Sequence, residues 1–222
     1  IDAAHKLVLL SAIAYGTQVD FDGAVLEGIG RITIEDIRAA ADMGYRIKLL
    51  GVSQITDTGL SQSMRPCLVP VSSPLAQLDG GTNMVIVEGD AVGQIVLRGA
   101  GAGEGPTASA VMGDVMDIAR GIKIPVFGQP AKTLRAVAAA NTGAKNPYYL
   151  RLNLKDETGS MARISSALAD AGVSIDRMRQ DGHEADAAPV LIVTHPTDRE
   201  TLNVALDGIQ AVGEVASPLF LG

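Results

Sequence analysis

From Tyr148 to the C-terminus the chain follows a pattern that few folds satisfy. Tyr149 to Leu154 alternates apolar and polar residues, the period of a half-buried strand. Asp156-Glu157-Thr158-Gly159 makes a tight turn into a helix over Ser160–Ala171, with Met161, Ile164, Leu168 and Ala171 on one face and Gly172 as its stop. Val173–Arg179 reads as a second strand, Gln180–Ala187 as a polar hairpin loop, and Pro189–His195 as a third strand. Thr197 caps a second helix, Glu200 is its capping-box partner, and Gly208 ends it. Ile209–Leu221 carries the last strand. The order is βαββαβ, the ferredoxin-like arrangement. So short a unit has a thin core, and pairing with a second copy, sheet edge to sheet edge, is expected.

The chain before it reads differently. Residues 1–98 describe a layer of at least four strands, mostly antiparallel, backed by two helices. The opening helix ends near Tyr15-Gly16. Thr33 caps a second helix, with Glu35 and Asp36 in its first turn and Gly44 as its stop. Tyr45–Ile55 and Leu60–Val71 read as strands, with Pro66 and Pro70 marking a sheet edge or the strand ends. Asn83–Glu88 and Ala91–Leu97 form a hairpin around Gly89-Asp90. Gly121 to Pro147 reads as a linker with a small helix over Lys132–Ala140, punctuated by Gly128, Pro130, Gly143, Asn146 and Pro147. The expected class is therefore α+β: a mixed or antiparallel sheet with helices on one face, then the ferredoxin-like unit. The expected boundaries are 1–128, a linker over 129–147, and 148–222.

Two stretches carry chemistry. Asp2 and Lys6 stand four apart at the start of the opening helix, so they share one face. Their stripe continues through Leu9 and Ile13, and residues 7–14 are apolar almost all round, as in a buried helix. A carboxylate and an amine there are either a functional pair or an ordinary surface ion pair. The second stretch is Arg98-Gly99-Ala100-Gly101-Ala102-Gly103-Glu104-Gly105, after which Pro106-Thr107 opens a helix to about Arg120. Glycines let a ligand approach the backbone, and a helix N-terminus offers free N–H groups. That suits the wall of a cofactor or anion site, or a flexible loop with a Thr107 cap. It is not the G-x-G-x-x-G of a βαβ unit.

Composition removes other classes. The net charge is −7, there is no basic run and no Trp, so no nucleic-acid partner is expected. No stretch reaches the roughly 18 apolar residues of a membrane span, and no membrane partner is expected. The single Cys67 excludes an internal disulfide and suits a reducing cytoplasm. His5, His183 and His195 share no metal-ligand spacing, so no metal site is expected. The chain starts one residue before the Asp-x-x-x-Lys pair, with no Met, loop or cap ahead of it. A fragment or processed chain is expected.

Three features stand in order: IDAAHKL, GAGAGEGPTASAVMGDVMDIA and YYLRLNLKDETGSMARISSALADAGVSI. Together with EGIGRIT and GYRIKLLG they closely resemble the C-terminal part of homoserine dehydrogenase, whose catalytic and dimerisation region is followed by an ACT domain. The family's N-terminal Rossmann domain is absent from the sequence.

The resemblance implies roles. Lys6 would handle the proton at the reacting oxygen of the substrate, and Asp2 would help hold substrate and proton path. Gly103 would touch the nicotinamide cofactor, NADP or NAD, with Gly101 and Thr107 in the same wall. The implied reaction reduces aspartate semialdehyde to homoserine, in threonine and methionine biosynthesis. The ACT domain implies an amino-acid effector, threonine by analogy, bound near Asp156, Thr158 and Gly159 and, on the second strand, Val173 and Ile175. A homodimer or tetramer is implied. The helix after Thr107 packs on the nucleotide domain in the family, so without that domain an apolar strip near Val111, Val115 and Ile118 would be exposed or covered by another chain. The alternative is a non-catalytic amino-acid-binding regulatory module.

Overall fold

The structure, a computed structural model, describes all residues except 141–144, 156–157, 181–186, 211–212, 216–218 and 222. Its elements run α1 (Asp2–Tyr15), β1 (Val25–Leu26), α2 (Ile34–Asp42), β2 (Tyr45–Thr56), β3 (Gly59–Pro70), β4 (Thr82–Gly89), β5 (Gly93–Ala100) and α3 (Glu104–Ala119). After a 3-10 turn at Ala131–Thr133 come β6 (Tyr148–Lys155), α4 (Ser160–Asp170), β7 (Ile175–Gln180), β8 (Ala187–Thr194), α5 (Arg199–Gln210), β9 (Gly213–Val215) and β10 (Leu219–Leu221). The class is α+β.

In the C-terminal unit β6 lies between β8 and the β9–β10 edge, and β7 flanks β8, which is the ferredoxin-like order. Leu150, Leu152 and Leu154 of β6 point into a core with Ile164 and Leu168 of α4 and Leu202, Ala205 and Ile209 of α5. The opposite face of this sheet is also covered. Tyr149, Leu191 and Val193 pack with Ala40 of α2 and with Leu68 of β3. The thin unit thus gains a second core from the N-terminal region.

The sheet itself crosses the expected domain boundary. β10 pairs antiparallel with β6 and parallel with β3, at Phe220–Cys67 and Leu221–Leu68, so the strands form one path, β1-β3-β10-β6-β8-β7. The expectation that Pro66 marks an edge is corrected accordingly. β3 is flanked by β2 along its whole length, and on its other side by β1 at Ser63–Met64 and β10 at Cys67–Leu68. Pro66 falls in the gap between those two partners, where that side of the strand has no ladder to feed.

Ion pairs weld the junction. Arg151 of β6 reaches Asp36 of α2 at 2.6 Å, and Asp36 closes the capping box of α2 with Thr33. Arg199 at the start of α5 lies 3.4 Å from Glu27, just after β1.

Four local expectations are corrected. The expected helix over Lys132–Ala140 is only the 3-10 turn; beyond it the chain is extended and bridges Thr17 through Arg135 and Leu60 through Ala139. Those pairings override the helix propensity of an Ala-rich stretch. Asp198, not Thr197, caps α5, its carboxylate accepting from the Thr201 N–H at 2.8 Å, because Thr197 is buried with its backbone paired to Asn146. α5 runs past Gly208 to Gln210. The last strand is two short strands, β9 and β10.

Candidate active site

α1 is held against the β2–β3 sheet by one face only. Ala4, Leu7, Val8, Ser11 and Ala12 are buried, with Leu7 and Ala4 meeting Met64 and Phe21. The Ser11 hydroxyl donates to the Leu7 carbonyl at 2.8 Å, which makes a buried serine affordable in this interface. Gly51 of β2 decides how close the helix comes: a Cβ there would meet Leu7 Cδ1 at 3.2 Å and Met64 Cε at 2.7 Å. Gly16 ends the helix in the left-handed conformation (φ 62), and its N–H donates to Ala12 O.

The opposite face is open, which corrects the expectation of a helix buried all round. Leu9, Leu10 and Ile13 are 46%, 45% and 50% exposed. Asp2 and Lys6 lie on this open face. The Lys6 ammonium donates to Asp2 Oδ2 at 2.6 Å, with the side chains 61% and 84% exposed respectively. The hydrogen bond from Lys6, and its charge, hold the Asp2 carboxyl below the usual carboxylate range. The pair is thus formed, ionised and accessible. His5 turns aside, its ring tilted against Phe21 with centroids 4.5 Å apart.

The glycine-rich segment explains itself residue by residue. Gly103 is the N-cap of α3 at φ 125, a conformation that L side chains rarely adopt. At Gly101 a Cβ would collide with the Asn83 side chain. Around Gly99 and Gly105 there is open space. Thr107 is not the cap: it lies inside the first turn, its N–H donating to Gly103 O at 3.0 Å. The N-terminus of α3 therefore has no side-chain cap, and Glu104 sits in its first turn.

The structure does not bring this segment and the Asp2–Lys6 pair together. α1 packs on β2 and β3, whereas α3 packs extensively on no other element among the described residues and buries none of its own. Val111, Val115 and Ile118 are 56%, 47% and 75% exposed, so the apolar strip expected there is uncovered.

At the effector loop, Thr158 and Gly159 are exposed before α4, and Gly159 is its N-cap residue. Asp156 lies outside the described residues, as does His183. The second strand starts later than expected, at Ile175; Val173 precedes it, buried in the core with its N–H donating to Leu168 O. Ile175 is half-buried and packs against the same core. Among the described residues no cluster of His, Cys, Asp and Glu could hold a metal ion, and no helix is long and apolar enough to cross a membrane.

Comparison with known proteins now bears on the pair. The family profile for homoserine dehydrogenase matches residues 1–116, starting at the Asp2–Lys6 helix and ending within α3. The chain belongs to the homoserine dehydrogenase family. A profile for the ACT domain matches residues 148–214. The homoserine dehydrogenase of Neisseria gonorrhoeae is 39% identical over 98% of this chain and 52% of its own length. That of Pseudomonas aeruginosa is 36% identical over 99% of the chain and 52% of its own length. The crystal structure of a homoserine dehydrogenase from Thiobacillus denitrificans superposes with a TM-score of 0.85 at 38% identity, covering 100% of this chain and 52% of that one. The chain spans about half the length of the relatives it matches.

Sequence reasoning missed three residues that place the pair. Gly51 was signalled only by being a glycine inside a strand. Tyr15, whose hydroxyl donates to Ser53 O at 2.9 Å, and Arg135, which grips the end of α1, carried no local signal.

Proposed function

We propose that the chain is the catalytic and regulatory portion of an NAD(P)-dependent homoserine dehydrogenase. The carrying observation is the Lys6–Asp2 pair at 2.6 Å on the open face of a helix that the family profile includes. In this reading residues 1–128 hold the chemistry, 148–222 take the effector, and 129–147 join them. The reaction reduces the aldehyde of aspartate semialdehyde to the alcohol of homoserine, in threonine and methionine biosynthesis in the cytoplasm.

The nicotinamide cofactor supplies a hydride to the aldehyde carbon when bound. The residues of this chain fit part of it. The left-handed Gly103 and the open space over Gly99 and Gly105 let a flat ring approach the backbone. Glu104 in the first turn of α3 disfavours a phosphate there, so the phosphates are held outside this segment. As the carbonyl carbon accepts the hydride, its oxygen becomes an alkoxide. The Lys6 ammonium donates a proton to that oxygen and Asp2 keeps the amine oriented. The observed bond between them is the resting arrangement.

The effector reading rests on Thr158 and Gly159 standing exposed at the N-terminus of α4, whose dipole suits the carboxylate of an amino acid such as threonine. Asp156, Val173 and Ile175 complete the proposed site. A homodimer or tetramer is part of the proposal, supported by the apolar exposure along β5, where Ile95, Val96 and Leu97 are 40%, 42% and 61% exposed.

NADPH oxidation with aspartate semialdehyde tests this, for the chain alone and for the chain joined to a nucleotide-binding N-terminal region. The chain alone is expected to be inactive and the joined protein active. An inactive, folded joined protein that binds threonine would replace this reading with the non-catalytic regulatory module. An active one in which Lys6→Ala keeps full turnover would remove the role of Lys6.

A further inference from the structure

The segment after α3, expected as a connector, grips the helix that carries Lys6. Arg135 is its point of contact. The Arg135 N–H donates to Gly16 O at 3.0 Å, its carbonyl accepts from the Gln18 N–H at 2.9 Å, and its Nη2 donates to Tyr15 O at 3.1 Å. All three bonds fall on the last turn and exit of α1. That helix end has no basic residue of its own. A guanidinium there satisfies an orphan carbonyl and opposes the negative end of the helix dipole. The same segment is fixed a second time, at the β2–β3 turn: the Leu60 N–H donates to Ala138 O at 2.9 Å and the Ala140 N–H to Leu60 O at 3.0 Å. Gly59, at φ 142, leaves room for it, since a Cβ would meet Ala138 O at 2.3 Å. α1 is thus tied at its far end to the hairpin that supports it.

We propose that Arg135 is a positioning residue for Lys6, setting the axial register and tilt of α1 against the β2–β3 sheet. This rests on the homoserine dehydrogenase reading. Lys6 lies nine residues before Tyr15, about 13 Å along the helix axis. The helix moves as a rod, so a displacement at its end reaches Lys6. The Lys6–Asp2 bond lies within the helix and travels with it. Of the three bonds only the exposed Nη2–Tyr15 O bond belongs to the side chain; its loss loosens the end of α1 while the two main-chain bonds remain, and shifts the pair relative to substrate without changing its internal electrostatics. A misplacement of about 1 Å costs on the order of 100-fold in rate.

The test uses the protein joined to its nucleotide-binding region, with turnover expressed per folded active site. Arg135→Ala is expected to lower kcat by about 10-fold or more, with the cofactor KM within about two-fold and the pH profile unchanged. Arg135→Lys, which keeps a cation but not the fork, is expected to fall between. Added guanidinium is expected to restore part of the turnover of Arg135→Ala. Arg135→Ala turning over within two-fold of the parent per folded site would overturn the proposal, and so would a displaced pH profile. If Arg135→Ala does not fold, parent-like kcat in Arg135→Lys overturns it. Lys6→Ala in the same background separates the two layers: full turnover there removes the reading on which the positioning role stands.

Discussion

The weld between the two halves of the chain makes a quantitative prediction. Asp36 is 4% and Arg151 14% exposed, and their 2.6 Å bond joins α2 to β6. Asp36 is the busier partner. It also accepts from the Thr33 N–H at 2.9 Å and bonds the Thr33 hydroxyl at 3.0 Å. Asp36→Ala therefore removes the ion pair and opens the capping box, and leaves the largely buried guanidinium without its carboxylate, though still within 3.3 Å of the Thr33 hydroxyl. Breaking a buried pair from one side costs about 3–5 kcal/mol, and a lost cap adds about 1 kcal/mol. Arg151→Ala leaves a buried carboxylate that keeps its Thr33 partners, so a cost below that range, about 2–3 kcal/mol, is expected. For a chain of this length each kcal/mol moves the thermal midpoint by about 2–4 °C. Arg151→Ala should fall by roughly 4–12 °C and Asp36→Ala further. Replacing both by apolar residues of similar volume, Asp36→Leu with Arg151→Met, should recover most of the loss, because neither charge is then stranded. Thermal unfolding followed by circular dichroism reads all of these. Arg151→Ala within 1 °C of the parent would refute the argument that this pair holds the halves together. A double variant worse than the sum of the singles would refute the stranded-charge account.

Other expectations follow from single residues. The Lys6 bond keeps the Asp2 carboxylate ionised below its ordinary value, so the pair persists from neutral pH down past the unfolded carboxylate range. It opens only as pH falls through the depressed folded value, and the Asp2 carboxyl carbon shift by NMR should titrate below 3.8. Burial pushes the Cys67 thiol up to about 12, so a thiol reagent at pH 8 should label it only after unfolding. The stability that its protonated state contributes is complete below pH about 9 and is lost as pH rises toward about 12. Gly59→Ala places a methyl group on Ala138 O at a φ that L residues resist, and about 1–3 kcal/mol of destabilisation is expected in urea unfolding. Gln62 is 4% exposed and its Nε2 has no hydrogen-bond partner among the described residues, so Gln62→Met should be neutral or stabilising in the same assay.

Local signals carried the fold well where neighbours in sequence decide it. Thr33 and Asp36 form the capping box of α2, Gly16 stops α1 at positive φ, and the 82–100 hairpin pairs in register around Asp90 to Val92. The ferredoxin-like order was legible because its turns and caps repeat the period changes. What escaped is set by partners far away in the chain. Leu134 to Ala140 has helical composition, yet Thr17 and Leu60 hold it extended. The insertion of β10 between β3 and β6 has no local signature at all. At the site, the spacing of Asp2 and Lys6 was enough to find the pair. It said nothing of Gly51, Tyr15 or Arg135, which hold its helix, because a backbone carbonyl that accepts a bond leaves no trace in its own residue type.

A helix that is apolar all round states that both faces want burial, and here only one is buried. α1 leaves Leu9, Leu10 and Ile13 open, on the stripe that continues from Asp2 and Lys6. α3 is in the same condition along its whole length, with Val111, Met112, Val115, Met116 and Ile118 all about half exposed or more. A 16-residue helix and a two-stranded hairpin standing alone are each marginal in water. Each large apolar side chain covered would contribute about 1.5–3 kcal/mol. The outstanding stabilisation on this one arm therefore rivals the whole net stability of a domain, about 5–15 kcal/mol. The chemistry asks for the same cover. In its exposed state the Lys6–Asp2 pair works in water, where ion pairs are worth little. In the proposed reaction, stabilising an alkoxide would require those same groups in a water-excluded site, where their fields act at low dielectric. A surface that seals Leu9 and Ile13 would dry Lys6 in the same step. The demand for burial and the demand of the proposed chemistry thus fall on the same stripe of α1.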